Sequence, residues 1–143
     1  MKYVILVSHG TFAPGLHSVL KMLAGANRED VLSASMEDGM GAEDFVKRFE
    51  ETITPVKEED EIILLADIIG GSPFTNAMDV LSQRNLLKHT IVFGGMNLPM
   101  ALTAAMMKDD MDTDILRESL VNESRGAITE LLLNLEEEAD DEI

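Results

Sequence analysis

The chain of 143 residues has no cysteine, no tryptophan and few basic residues. The absence of cysteine excludes disulfides and thiolate metal sites, and it fits a reducing cytoplasm. Only 11 Lys and Arg residues stand against 27 Asp and Glu residues, which gives a formal net charge of −16. A surface of this sign repels phosphate backbones and anionic membranes, so we expect no nucleic-acid ligand.

Long hydrophobic runs are also missing. The apolar run at residues 3–7 is far too short for a signal peptide or a membrane span, so we expect a soluble, cytoplasmic protein. Apolar residues nevertheless make up 45% of the chain, which is enough for a packed core. The length fits one domain.

Four short segments have the character of buried strands, and each is followed by a helical pattern. The predicted strands cover residues 3–7, 31–36, 62–66 and 90–93. The first and third of these, residues 3–7 and 62–66, are unbroken apolar runs, which are typical of strands that are covered on both faces. The sequence therefore predicts a single doubly wound α/β domain with a mainly parallel sheet of four strands. The loop after the first strand is predicted over residues 8–15, and the second helix over residues 42–54.

The C-terminal third is less regular. Residues 115–123 have a helical pattern. Beyond Gly126, apolar residues keep helical spacing, but the segment ITELLL is equally compatible with an edge strand, and both alternatives stay open. We assign residues 1–135 to the domain and predict that residues 136–143 form a flexible acidic tail.

Two polar side chains follow neighbouring strands at the carboxyl edge of the predicted sheet, where ligands bind in open α/β folds. His9 comes directly after the first strand and Asp67 directly after the third. Neutral imidazole is a good nucleophile near neutral pH, and its ring nitrogens accept phosphoryl groups. A carboxylate on the other nitrogen would select the tautomer and stabilise the positive charge that develops.

The segment Gly70-Gly71-Ser72-Pro73 leads into the third helix. Glycine allows backbone N–H groups to approach an anion closely, and a helix N-terminus supplies free donors. We expect Ser72 to be the N-cap and to donate its hydroxyl as well. Each of these features alone is also an ordinary loop residue, turn or cap. Their common position at one sheet edge favours a phosphate site made of His9, Asp67, Gly71 and Ser72.

Other kinds of site have little support. His17 and His89 are predicted to be structural, since His17 lies on a helix and His89 precedes the fourth strand at the opposite sheet edge. A metal bound by His9 and Asp67 would lack a third ligand, so we predict no metal and no cofactor. No nucleotide-binding glycine motif is present.

Three segments resemble one known family, the IIA component of the mannose class of the bacterial sugar phosphotransferase system (PTS). They are VILVSHGTFAPGL, LLADIIGGSPFTNA and FGGMNLPMAL. They occur in the family's order and spacing, and the resemblance covers essentially the whole chain. It implies a doubly wound α/β fold, commonly dimeric, in which some members exchange a C-terminal edge strand between subunits. The segment after Gly126 is the candidate for that strand.

The resemblance also implies a mechanism. Nε2 of His9 would accept a phosphoryl group from the phosphocarrier protein HPr while Nδ1 is hydrogen-bonded to Asp67. Ser72 matches the position that contacts the phosphate. The group would then pass to a IIB protein or domain, which serves sugar import through the membrane components IIC and IID.

Two alternatives differ from this scheme in the acceptor. A related IIA-like domain serves dihydroxyacetone kinase, and a third hypothesis makes phosphorylated His9 a regulatory signal of sugar supply.

Some relatives fuse IIA to IIB through a linker. The chain is therefore expected to be either a stand-alone IIA protein or a IIA part cut at such a linker.

Overall fold

A computed structural model of the protein describes residues 1–135. Strands and helices alternate along the chain, and a short 3-10 turn, Leu87–His89, precedes the last strand. The elements are β1 (Lys2–His9), α1 (Phe12–Leu23), β2 (Val31–Met36), α2 (Ala42–Thr52), β3 (Glu61–Ala66), α3 (Ser72–Gln83), β4 (Thr90–Phe93), α4 (Leu98–Met107) and α5 (Thr113–Gly126). None of the helices in this described part is long and apolar enough to cross a bilayer.

The four strands form one parallel sheet in the order β2-β1-β3-β4. Val7 pairs with Ala66 of β3, and His9 pairs with Met36 of β2. The doubly wound α/β prediction is therefore confirmed. β1 and β3 lie side by side, so the residues that follow them share one edge of the sheet.

Alternate residues of each central strand point to opposite faces, and each face has its own core. Val4 and Leu6 belong to the core under α1, α4 and α5, whereas Ile5 and Val7 belong to the core under α2 and α3. Because α1, which follows β1, and α3, which follows β3, cover opposite faces, the connections leave these two strands in opposite directions. This creates a crevice at the carboxyl ends of these two strands.

The turn between β1 and α1 is shorter than expected. The loop predicted over residues 8–15 shrinks to Gly10 and Thr11, because β1 continues through His9 and α1 begins at Phe12. Pro14 is compatible with the first helical turn, where a missing N–H costs nothing. The second helix also ends earlier than predicted, at Thr52, with Ile53 as its C-cap.

The C-terminal helix is longer than predicted and runs from Thr113 to Gly126, with the Asp112 side chain accepting from the Ile115 amide as N-cap. Residues 127–134 form neither helix nor strand, so neither of the two alternatives for them is confirmed. Strand exchange stays a prediction, as does the domain boundary at residue 135. The acidic tail at residues 136–143 lies outside the described residues.

A network of charged side chains closes the amino end of the sheet, opposite the crevice. The Lys108 side chain is only 2% exposed, and its ammonium lies 2.7 Å from Asp30 and 2.8 Å from Asp109. Arg28 donates to both oxygens of Asp30 at 3.0 and 2.9 Å. The hydrogen bond from Arg28 is the main reason that the pKa of Asp30 is held well below its usual range, with Lys108 acting in the same direction and burial opposing it.

We expect Asp30→Asn to lower the free energy of unfolding by about 3 kcal/mol or more, because Lys108 would keep its buried charge with less compensation. The depressed pKa means that the ion-pair contribution is present at pH values above the unfolded-state pKa of about 3.9 and is lost as pH falls below it. The difference between wild type and variant, measured by urea unfolding, should therefore shrink between about pH 5 and about pH 2.

Asp114→Asn is the control for this prediction. Asp114 is exposed and makes only a surface pair with Arg117 at 3.6 Å. Its loss should change stability by no more than about 0.5 kcal/mol. Equal destabilisation by the two substitutions would contradict the importance of the buried network.

Candidate functional site

His9 and Asp67 meet at the crevice between β1 and β3. The imidazole Nδ1 lies 2.9 Å from Oδ2 of Asp67, and the backbone amide of His9 donates to the same oxygen at 2.9 Å. The other carboxylate oxygen, Oδ1, accepts from the amide of Ile68 at 2.9 Å. Both oxygens of Asp67 are therefore engaged, and two of the three donors belong to His9.

The carboxylate takes the place of a backbone group in the sheet. The Asp67 amide donates to the Val7 carbonyl at 3.2 Å, as in a regular parallel ladder. In the next step of such a ladder, the His9 amide would donate to the Asp67 carbonyl. It donates to the side chain instead, and the Asp67 carbonyl accepts from the amide of Gly95 at 3.1 Å. The hydrogen-bond ladder between β1 and β3 therefore ends at the Asp67 side chain, which also contacts the His9 ring.

Asp67 is ionised in this setting. Its side chain is 17% exposed, and burial alone would raise its pKa. The hydrogen bonds from the His9 amide, the His9 ring and the Ile68 amide more than offset burial, so the pKa of Asp67 lies below its usual value. A full negative charge consequently lies beside Nδ1 at neutral pH.

This charge assigns the tautomer of His9. A neutral imidazole has one N–H and one lone pair, and the carboxylate requires the N–H at Nδ1. The lone pair is then at Nε2. The His9 side chain is 48% exposed, so the ring lies at the surface of the protein.

Two backbone contacts hold the loops around the pair. The Gly10 amide donates to the Met36 carbonyl at 2.9 Å, which ties the residue after His9 to β2. The Gly95 amide reaches Asp67 from the loop after β4, and Gly95 has a φ of +70°, which favours glycine. The residue after His9 is therefore held by β2, and Asp67 is held by the loop after β4.

The structure corrects the expected N-cap of α3. The N-cap is Gly71, in extended conformation, and Ser72 is the first helical residue with Pro73 next to it. The Ser72 hydroxyl accepts from the Asn76 side-chain amide at 3.0 Å. Since a hydroxyl has one proton of its own, Ser72 can still donate to an anion at the start of the helix.

Ser8 is a site residue that the sequence analysis missed. Its side chain is fully buried, and its Oγ accepts from the amide of Ala13 at 2.7 Å. Ser8 thereby satisfies a free donor at the start of α1 and stabilises the two-residue turn after His9. A polar residue at the end of an otherwise apolar strand was the available signal.

The other two histidines lie away from this pair. His17 on α1 has its Nδ1 2.7 Å from the Ser33 hydroxyl on β2. Burial, followed by the nearby charge of Lys21, lowers the pKa of His17. His89 ends the 3-10 turn at the amino end of β4. Within residues 1–135, no group of three or more His, Asp or Glu side chains is arranged to bind a metal.

The fold and the site together define a class: a doubly wound α/β domain with a half-exposed histidine hydrogen-bonded to a carboxylate. Residues 3–121 match the model of the family EIIA-man, described as the PTS system fructose IIA component. The chain therefore belongs to this family of IIA components of the sugar phosphotransferase system. The resemblance inferred from the three sequence segments is confirmed.

Similar proteins agree with this family. The mannose-specific EIIAB component of the PTS of Escherichia coli (strain K12) is 27% identical over 107 residues, which are 75% of this chain and 32% of that protein. The chain thus spans about a third of the length of the curated relatives that match it first. A mannose/sorbose-specific IIA subunit from Enterococcus faecalis superposes with a TM-score of 0.75 at 27% identity, covering 94% of this chain and 98% of that one. An EIIA component from Streptococcus agalactiae gives 0.75 and 27%, with 91% and 97% coverage.

We predict that Asp67→Asn weakens the preference for a proton at Nδ1 of His9, because a neutral amide is a poorer acceptor than a carboxylate. Nitrogen NMR of the imidazole should show one unprotonated nitrogen, Nε2, in wild type at neutral pH. The variant should show a mixture of the two tautomers. Asp38→Asn removes the same charge from a nearby exposed loop and should leave the ring signals unchanged. If Asp67→Asn gave the wild-type spectrum, the Asp67 carboxylate would not be what selects the tautomer of His9.

Proposed function

We propose that the protein is a phosphoryl carrier of a sugar PTS. It accepts a phosphoryl group from phosphorylated HPr on Nε2 of His9 and passes it to a IIB protein or domain during sugar uptake. The membrane components IIC and IID take part only indirectly. The observation that carries this proposal is the His9–Asp67 pair at the surface, in which the contact of Nδ1 with the carboxylate favours the lone pair at Nε2.

The transfer step follows from the geometry of the pair. The Nε2 lone pair attacks phosphorus, the bond from phosphorus to its donor atom on HPr breaks, and a phosphorus–nitrogen bond forms. Nδ1 keeps its proton throughout. The ring gains positive charge as the new bond forms, and the adjacent carboxylate of Asp67 stabilises that charge. Transfer to IIB reverses these steps, with the acceptor side chain as the nucleophile.

The start of α3 supports the phosphate. The first backbone N–H groups of a helix have no partner within the helix, and the positive end of its dipole favours an anion. Gly71 and Ser72 lie at this position, and the Ser72 hydroxyl adds a donor. We assign phosphate binding to these two residues. The absence of Lys and Arg from the segments 8–10 and 67–72 suits a group that has to leave again.

The surroundings of His9 suit a protein partner. Three large apolar side chains, those of Phe12, Ile68 and Ile69, are about half exposed or more at the same edge of the sheet. Apolar side chains around an accessible polar group are typical of the centre of a protein interface. Glu37 and Asp38 follow β2 at this edge, so a partner with a basic periphery fits best.

Incubation with phosphorylated HPr should label the wild-type protein with one acid-labile, alkali-stable phosphate, as detected by mass spectrometry or phosphorus NMR. His9→Ala should abolish the label, because it removes the only proposed nucleophile. His17→Gln and His89→Gln are matched controls and should be labelled like wild type. Undiminished labelling of His9→Ala would refute the proposal.

The acceptor is tested with the labelled protein. Addition of a IIB protein should remove the phosphate from His9 and label IIB. Transfer to a dihydroxyacetone kinase subunit instead would replace the sugar-uptake role by the kinase role. Phosphate that stays on His9 in the presence of both acceptors would favour the regulatory alternative.

We further propose a homodimer in which the segment after α5 pairs with a second copy. β4 is an edge of the sheet, bonded only to β3. Its opposite edge, β2, is partly blocked, since the Arg48 guanidinium donates to the Ser35 carbonyl at 3.2 Å. The segment after α5 exposes five large apolar side chains: Ile128, Leu131, Leu132, Leu133 and Leu135. Exposed apolar residues and an unpaired edge strand both favour association.

Leu132→Asp should convert the dimer into a monomer, because a carboxylate would be buried in the contact without a partner. Leu23→Asp is the matched control, since Leu23 is an exposed leucine at the end of α1. Sedimentation velocity gives the mass of each protein. A monomeric wild type, or a dimeric Leu132→Asp, would contradict the exchange of this segment.

A further inference from the structure

Gly71 lies unusually close to the histidine ring. An ideal Cβ built on Gly71 would be 2.7 Å from Cε1 of His9, and 3.1 and 3.2 Å from Cγ1 and Cδ1 of Ile68. Real Cβ atoms essentially never approach another heavy atom as closely as 2.7 Å. The ring therefore occupies space that any residue other than glycine would fill at position 71.

The backbone of Gly71 does not itself require glycine. Its φ of −78° and ψ of 165° are extended values that every residue adopts. Neighbouring Gly70 differs, since its φ of +91° favours glycine. Gly71 is also the N-cap of α3, where Ser or Asn stabilises a helix at least as well as glycine does. The histidine ring, with Ile68 beside it, accounts for the missing side chain.

The contact at Cε1 matters because this atom lies between the two ring nitrogens. The hydrogen bond from Nδ1 to Asp67 holds one side of the ring at 2.9 Å, but a single bond leaves the ring free to swing about it. On its Cε1 side, the ring lies where a side chain at position 71 would be. The same Cβ would also meet Ile68, so a substitution at Gly71 would press on both side chains.

We propose that Gly71 is a positioning residue for phosphoryl transfer. Its lack of a side chain lets the His9 ring rest against the start of α3, which directs Nε2 toward the donors that receive the phosphate. This role is separate from phosphate binding by the Gly71 backbone, and it rests on the proposed function of His9. A side chain at position 71 would displace the ring from Asp67 while leaving the helix cap intact.

Gly71→Ser tests the proposal, because serine supplies an N-cap hydroxyl together with the intruding Cβ. Gly41→Ser is the matched control. Gly41 is the N-cap of α2, has nearly the same backbone conformation (φ −87°, ψ 174°), and an added Cβ there would meet only Asp44 Oδ2 at 3.9 Å. Both variants should have the urea midpoint of wild type or a higher one.

Transfer from phosphorylated HPr should separate the two variants. We expect kcat of Gly71→Ser to fall by about 100-fold with KM for HPr unchanged, since a displaced nucleophile slows the chemical step and not docking. Gly41→Ser should transfer like wild type. An unchanged kcat in a folded Gly71→Ser protein would overturn the proposal, and so would an equal loss in both variants.

A second measurement needs no HPr and does not depend on the proposed function. Crystal structures of Gly71→Ser and Gly71→Ala should show the bond from Nδ1 of His9 to Asp67 broken, and nitrogen NMR should show loss of the single ring tautomer. A ring that stays on Asp67, with the new Cβ accommodated by Ile68 alone, would refute the positioning role. Displacement of the ring in a protein whose wild type accepts no phosphate would refute the proposed function and leave the steric role of Gly71 intact.

Discussion

The site depends on one carboxylate oxygen, Oδ2 of Asp67, which accepts from both the backbone and the ring of His9. The backbone bond fixes where the end of β1 lies relative to β3. The ring bond fixes which nitrogen carries the proton. Because one oxygen makes both bonds, the same carboxylate links the placement of the histidine to its chemical state.

The parallel sheet makes this arrangement available. β1 and β3 are neighbours whose connecting helices cover opposite faces, so a crevice opens where both strands end. Asp67 continues the ladder with its amide and ends it with its side chain. Its carbonyl is thereby free to bind the loop after β4 through Gly95. Residues at the ends of β1, β3 and β4 thus contribute to holding one half-exposed imidazole.

The two ends of the sheet differ in how many basic side chains they have. The amino end has a compensated network in which Lys108 is buried against Asp30 and Asp109. At the carboxyl end, the His9 and Asp67 segments contain no Lys or Arg, and the proposed donors for a phosphate are the free N–H groups at the start of α3. Permanent cations therefore lie in the stabilising network, and weaker dipoles lie near the histidine, which agrees with the proposed role of a carrier that releases its group.

Much of this protein was determined by local sequence. Unbroken apolar runs identified β1 and β3, because a strand covered on both faces is apolar along its length. The positions of His9 and Asp67 directly after two of these strands predicted that they would meet. What the tertiary structure alone decided are the contacts between segments distant in the chain: the shared Oδ2, the burial of Ser8 under α1, the shift of the α3 cap from Ser72 to Gly71, and the ring against Gly71. These contacts depend on the distances between side chains to within a few tenths of an ångström, and no local sequence pattern encodes such distances.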